Sequence, residues 1–477
     1  MSLTNRTRWI AFSAALMASM MDLLDATIAQ TAAPAIRADL GGSYASLQWI
    51  TATYTIAMAV GLLTGGRLGD MFGRKRVLVG AAGGFTLASL ACGLAPSMEA
   101  LLVARVVQGA VGAAMVPQVF GMIRELFAPE DMGKAFGILG PVAGLSAVAG
   151  PVLSGLLVDA DILGTGWRSI FLVNLPVGAF VVLAGAKYLP SVAPTLTSRR
   201  LDGAGMGLAA AGTFLLIYPL VQGHELGWPT WTLAMLAASL PVLAGFGVHQ
   251  LRRNRASRPS LVETSVFARR SYVSGLGFAI VFISVMSGLG ITLGILMQVG
   301  LGWTPLEASL ASAPFALGAF AGSAVGGMTM HKLGRKVLQA GLVFMAAGLV
   351  GLFAALEAAG SGVGGWDFTA PLTTAGIGLG MVFVPMFDIV LGDVEHHEMG
   401  SASGVLQSIQ ALGMALGVAV IGTIYFGALG EGTDFVAAAQ VTTVVTAGLA
   451  VLAFAIAFLL PRHAREQAPA EAVPMPA

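Results

Sequence analysis

Two carboxylates, Asp22 and Asp25, and one guanidinium, Arg105, stand inside long apolar stretches of a chain that is 56% hydrophobic and 10% charged. An ionisable side chain deep in hydrocarbon is costly unless it is paired or faces water, so these three are functional candidates before any others. Asp22 and Asp25 are three residues apart and share nearly one face of a helix. At a rise of 1.5 Å per residue, Asp25 lies roughly 12 Å inside the outer end of its stretch and Arg105 roughly 9 Å inside its own, a similar depth. A cavity with two carboxylates and one guanidinium can exchange a proton for a cation, because burial favours a neutral carboxyl while a nearby arginine favours the charged one. The structural alternative is a static Asp25–Arg105 pair that fastens two helices. Both readings stand at this point.

Long helices must carry these groups. Fourteen stretches can each supply the ~20 mainly apolar residues a spanning helix needs: near 9–33, 46–68, 77–95, 99–123, 135–158, 168–189, 203–222, 230–250, 272–297, 305–330, 336–357, 369–391, 399–426 and 438–461. Of the 25 Lys+Arg, all but Arg37, Arg105 and Arg168 fall in the tails, in alternate gaps or, for Arg67, Lys187 and Lys336, at the stretch ends that border those gaps. That is the pattern of a multi-pass cell-membrane protein with both termini in the cytoplasm, and an odd helix count would spoil it. The mean hydropathy of +0.83 agrees. The first stretch carries acids and no small-residue cleavage site follows it, so it reads as a retained helix and not a signal peptide. The Ala/Pro/Glu-rich end after 461 reads as a disordered cytoplasmic tail.

Composition and motifs exclude several classes. In so apolar a chain a net charge of +1 says nothing about nucleic acid, which is not expected as a partner, and the single Cys92 rules out an internal disulfide framework and reads as a small packing residue. Glu395-His396-His397-Glu398 reads as a solvated loop, because neighbouring histidines at a helix end do not converge on one ion; no metal or other cofactor is expected. The sequence contains no GxxxxGK[ST] nucleotide loop, no HExxH and no GxSxG, which argues against ATP-driven transport by the chain itself and against a membrane-embedded enzyme.

An internal repeat points to transport. Gly66-Arg-Leu-Gly-Asp70-Met-Phe-Gly73-Arg74-Lys75 follows the second stretch, and Gly327-Met-Thr-Met-His331-Lys-Leu-Gly334-Arg335-Lys336 follows the tenth. Two similar halves rocking about a shared midplane site explain such a repeat better than a channel or receptor does. The expected architecture is all-α, with six helices in 1–190, an inserted pair in 191–270 and six more in 271–461. Glycine supplies the tight turn and the basic residues stay at the headgroups. Gly150-Pro151 removes a helix donor and allows a bend suited to an occluding kink.

These residues resemble the major facilitator superfamily, and from 9 to about 461 the chain is similar to its fourteen-helix drug:proton antiporters, the EmrB/QacA type. Leu24-Asp25-Ala26-Thr27-Ile28-Ala29-Gln30 resembles the acidic motif of helix 1, with Gln30 where Asn is usual. Arg105-Val-Val-Gln108-Gly109 matches the helix 4 signature, and Gly150-Pro151 with Gly155 resembles the antiporter motif, with Ser146 and Ser154 where glycine is more usual. Trp167-Arg168 through Asn174-Leu-Pro176 is similar to the marker entering helix 6, and Gly400 through Gly413 to a motif of helix 13, with Gln407 and Gln410 where Asn and Arg are frequent. The resemblance implies a monomeric exporter of drug-like, cationic or neutral amphiphiles driven by protons, with gating by Asp70 and Arg74. An exporter of an endogenous metabolite, antibiotic or lipid fits the same residues. Asp388, near the end of the twelfth stretch, is a further proton-handling candidate or a residue snorkelling to the interface, and Arg124 and Glu125 form either an ion-pair switch or an anchor.

Overall fold

The computed structural model describes residues 5–127, 146, 149–161, 164–191, 202–223, 226–256, 258, 260–394, 399–429 and 434–462, which hold helices and no strand. The helices are α1 (Asn5–Leu40), α2 (Tyr44–Phe72), α3 (Arg74–Gly93), α4 (Met98–Leu126), α5 (Ala149–Asp159), α6 (Gly166–Tyr188), α7 (Gly203–Gln222), α8 (Thr230–Arg255), α9 (Arg270–Ile295), α10 (Pro305–Leu333), α11 (Lys336–Ala359), α12 (Thr369–Leu391), α13 (Met399–Leu429) and α14 (Phe435–Ala457). Twelve stretches of the described residues are long and apolar enough to cross a membrane. The 29-residue α2 is not in that set, and most of the expected span at 135–158 lies outside the described residues, as do Glu395–Glu398 and the tail from 463.

Capping residues set several helix starts. Ser97 accepts from the Ala100 amide, Asp202 from Gly205 and Asp434 from Ala437, while Thr304 and Glu307 form a reciprocal box with Pro305 in the first turn of α10. Gly73 ends α2 at φ +90° with its amide on the Gly69 carbonyl; Gly334 ends α10 at φ +53° with its amide on Met330. The repeated glycine does one job twice, in a backbone region where a side chain is strained.

Packing repeats as well. α1 packs on α4 and α6, α3 on α4 and α6, and α2 on α4; in the same way α9 packs on α12 and α14, α11 on α12 and α14, and α10 on α12. Lipid is as apolar as the helix surfaces, so close backbone approach through small residues matters more here than burial from water. A Cβ on Gly65 of α2 would fall 2.0 Å from the Ala113 carbonyl of α4, and one on Gly322 of α10 would fall 2.1 Å from the Ile377 carbonyl of α12. The two groups meet at α2 against α13, α1 against α9 and α5 against α10. The remaining pair, α7 and α8, pack on each other, and α7 lies against both α2 and α13.

Candidate functional site

α1 carries Asp25 into the space between α4 and α6. Arg105 and Gln108 stand one turn apart on α4, so both reach that carboxylate: Arg105 Nη1 donates to Asp25 Oδ2 at 2.5 Å, and Gln108 Nε2 to Oδ1 at 2.7 Å. Asn174 of α6 adds a third donor to Oδ1 at 3.0 Å. Arg105 also donates through Nη1 to Gln108 Oε1 at 2.8 Å and through Nε to the Ile50 carbonyl of α2 at 3.1 Å. Ser89 Oγ of α3 accepts from Gln108 and Asn174 at 2.9 and 3.2 Å, and Cys92 Sγ lies 3.5 Å from Gln108 Oε1. Five helices thus meet in one polar cluster inside an apolar bundle. Arg105 and Gln108 are fully buried and Asp25 nearly so; at such depth charges persist only when paired and hydrogen-bonded.

Asp22, one turn before Asp25, has a different environment. Its Oδ1 accepts from the Tyr54 hydroxyl of α2 at 2.5 Å. The Tyr54 ring lies against the Arg105 guanidinium, with Cζ 4.3 Å from the ring centroid, a cation–π contact. Glycines of α4 make room for this: a Cβ on Gly109 would fall 2.3 Å from the Tyr54 carbonyl, and one on Gly112 would fall 3.2 Å from Asp22 Oδ1. The Arg-x-x-Gln-Gly sequence therefore has a physical reading. Its two polar residues hold Asp25, and its glycine lets α2 press Tyr54 against them.

The Gly-Pro segment of α5 lies beside this cluster. A Cβ on Gly150 would collide with Thr27 Oγ1 of α1 at 2.0 Å, and Ser154 Oγ donates to the Ile28 carbonyl at 3.1 Å. On its other side the Pro151 carbonyl accepts from Ser309 Oγ of α10 at 2.6 Å. Gly150 and Pro151 thus stand between the acid-bearing turn of α1 and the second group of helices.

At the repeated loop, Arg74 Nε lies 3.6 Å from Glu125 Oε1, and a Cβ on Gly121 of α4 would strike the Arg74 guanidinium at 1.7 Å. Gly66 faces open space. Asp70 belongs to α2 by its backbone, and its side chain lies outside the described residues, as do those of Arg124 and His331. The corresponding Arg335 binds carbonyls instead, donating to Phe458 and Leu460 at 2.7 and 2.8 Å. Asp388 is exposed on α12, and the structure does not bring it to the buried cluster.

A second polar group joins α7 to α8. Asp202 Oδ1 and Oδ2 accept from the Gly205 amide at 3.0 Å and Gln250 Nε2 at 2.8 Å, with His249 Nε2 at 2.8 Å and Arg253 Nη1 at 3.5 Å. Burial pushes the Asp202 carboxyl up, but His249, the Gly205 amide, Gln250 and Arg253 together outweigh it and hold the group below the ordinary carboxylate range. Gln250 Oε1 also accepts from the Leu261 amide at 2.7 Å and so folds the linker back onto α8.

Sequence reasoning missed Tyr54, Ser89, Asp202 and His249, and took Cys92 for packing alone. A signal for the α3 pair was present: Ser89 and Cys92 are one turn apart in a segment, Leu87 to Gly93, that is otherwise apolar. Tyr54 had none, because an aromatic in a spanning helix usually packs.

The sequence pattern of the Major Facilitator Superfamily matches residues 15–418. The chain belongs to that superfamily. Among superfamily relatives, it is 45% identical over 425 residues to the probable actinorhodin transporter of Streptomyces coelicolor, covering 89% of this chain and 73% of that one. It is 33% identical over 427 residues to the tetracenomycin C resistance and export protein of Streptomyces glaucescens, covering 89% and 77%. The crystal structure of an auto-inhibited POT family peptide transporter superposes with a TM-score of 0.70 at 15% identity, covering 98% of this chain and 99% of that one, which shows a shared fold. Membership accounts for the duplicated helix packing and makes the protein a membrane transporter of small molecules.

Proposed function

We propose that this protein exports amphipathic small molecules, cationic or neutral, by alternating access coupled to inward proton movement. The observation that carries the reading is the buried group of Asp22, Asp25 and Arg105, in which two carboxylates lie close together and the one guanidinium binds Asp25 directly. Two negative charges against one positive leave a site that a proton or a cation neutralises equally well, and that is the requirement for antiport. The names of the antibiotic-exporting relatives support efflux as the direction. In this reading both termini are cytoplasmic, fourteen spans are divided into 1–190, 191–270 and 271–461, and the protein works as a monomer in a bacterial cell membrane. Asp70, Arg74 and Glu125 act as the gate at one end, while Gly150 and Pro151 transmit movement between α1 and α10.

The test is export of a panel of fluorescent lipophilic cations and neutral antibiotics from cells expressing the protein, with and without an uncoupler. Export that stops with the uncoupler is expected. Uncoupler-insensitive export, or none across the panel, contradicts the reading. A second reading, a dedicated exporter of one antibiotic, draws on the 45% identity to the probable actinorhodin transporter; a panel in which a single antibiotic class moves would favour it.

A further inference from the structure

The two acids of α1 differ in a way that separates their roles. Asp25 takes three donors, from Arg105, Gln108 and Asn174, and its charge is balanced at 2.5 Å by a fully buried guanidinium. The other acceptors of Arg105, Gln108 Oε1 and the Ile50 carbonyl, are neutral, and its Nη2 is buried without a hydrogen-bond partner. A proton placed on Asp25 would therefore strand a buried cation. Asp22 accepts from one neutral donor, the Tyr54 hydroxyl, and keeps 8% of its surface exposed against 2% for Asp25. A proton placed on Asp22 removes the one excess negative charge of the group and leaves the Asp25–Arg105 pair intact.

We propose that Asp22 is the carboxylate that exchanges a proton for a cationic substrate, that Asp25 is the fixed counter-charge of Arg105, and that Tyr54 is the positioning residue between them. The assignment rests on the proton-coupled reading above. Among the described residues the charged and titratable groups near Asp22 are Tyr54 from α2, Arg105 from α4 and, on its own helix, Asp25. A phenol hydroxyl donates to a carboxylate and can accept from a carboxylic acid, so Tyr54 can hold Asp22 in both states. Its ring meanwhile stays against Arg105. The ligand class that follows is a lipophilic monocation, which replaces the proton on Asp22 one for one.

The experiment uses the purified full-length protein in lightly buffered detergent, with tetraphenylphosphonium and ethidium as probes and a pH-indicator dye to count protons released on binding. The parent is expected to release protons. Asp22→Asn, close to isosteric, should abolish release and weaken cation binding about tenfold, while Asp25→Asn keeps release. If Asp25→Asn does not fold, the double variant Asp25→Asn/Arg105→Gln removes both charges of the buried pair, and it too should release protons. Tyr54→Phe should retain release but move the pH midpoint of cation binding by about one unit, with binding of a neutral probe unchanged; a purely structural role would alter both probes alike. Release that survives Asp22→Asn and vanishes in Asp25→Asn overturns the assignment alone. A parent that binds the probes with no release, and in vesicles accumulates none of them under a proton gradient, overturns the coupled reading and the assignment with it.

Discussion

α1 and α9 hold the same place in their groups of helices, each packed on the fourth and sixth helix of its own set, yet only α1 carries charge at depth. Beyond Arg270 there is no acid, base or histidine up to Gly300. The serines of α9 serve packing: Ser284 Oγ and Ser287 Oγ donate to the Gly413 and Met414 carbonyls of α13 at 2.9 and 3.1 Å. α12, the counterpart of α4, has no basic residue to correspond with Arg105. The scaffold is duplicated and, among the described residues of the two groups, the buried charge is not. Helix packing in lipid asks only for small residues at close approaches, and both groups supply them. A buried ion pair asks for named side chains on several helices at once, and a single set suffices for one site.

The most severe way to break this asymmetry is to remove Arg105. Arg105→Ala leaves Asp25 buried with neutral donors only, and we expect a loss of about 3–5 kcal/mol, seen as a large drop in thermal unfolding temperature in detergent. Ser287→Ala on α9 should cost about 1 kcal/mol or less. Comparable losses at the two positions would erase the distinction between the groups.

The next effect should be symmetric. Gly65→Ala and Gly322→Ala each drive a Cβ into a facing carbonyl, at 2.0 and 2.1 Å, and each should cost about 1–3 kcal/mol through forced helix separation. Unfolding of the two variants side by side sharpens the comparison, since a tolerated Gly322→Ala would mean the second group is packed more loosely than the first.

Much of this was legible in the sequence, for reasons that differ by residue. Apolar length and one-sided charge located the helices, and the Gly73 and Gly334 frame revealed the repeat because a left-handed turn leaves few alternatives to glycine. Asp25 and Arg105 were visible as ionisable types at matched depth and Gln108 through the resemblance, and the Asp25–Arg105 contact weighed in the sequence is present at 2.5 Å. Tyr54 and Ser89 were not visible, since their importance comes from helices that meet only in three dimensions. Asp388 looked as unusual as Asp25 by composition, but depth along a helix does not say which way a side chain points. The capping of α7 by Asp202 was hidden for the same reason: its partners His249 and Gln250 lie forty-odd residues away in the sequence.

Smaller effects belong to the repeated loop. Arg74 and Glu125 are only partly buried at 3.6 Å, so Arg74→Ala should change stability by no more than about 1 kcal/mol while slowing transport through a shifted conformational equilibrium. Arg335→Ala, which removes carbonyl contacts and a contact with the Phe458 ring, should slow it less. Transport assays at matched expression check both, and equal slowing would argue for a symmetric gate.

The smallest expected change is at the inserted pair. Because its partners hold the Asp202 carboxyl below the ordinary range, its contribution to stability is present above the unfolded-state value and is lost as pH falls through the lower, folded-state one. Acidification should loosen the α7–α8 contact and raise hydrogen exchange around Leu261, whose amide binds Gln250. Asp202→Asn should show raised exchange already at neutral pH, with little further dependence on acid.

The claim that coupling chemistry belongs to the first group of helices alone is tested most directly by gradient-driven uptake of tetraphenylphosphonium into inside-out vesicles containing Asp22→Asn/Asp25→Asn or Ser287→Ala protein. We expect the double variant to show no uptake above empty vesicles and Ser287→Ala to match the parent. Parental uptake by the double variant, with Asp388→Asn abolishing it instead, would contradict the claim and move the exchange site to the second group.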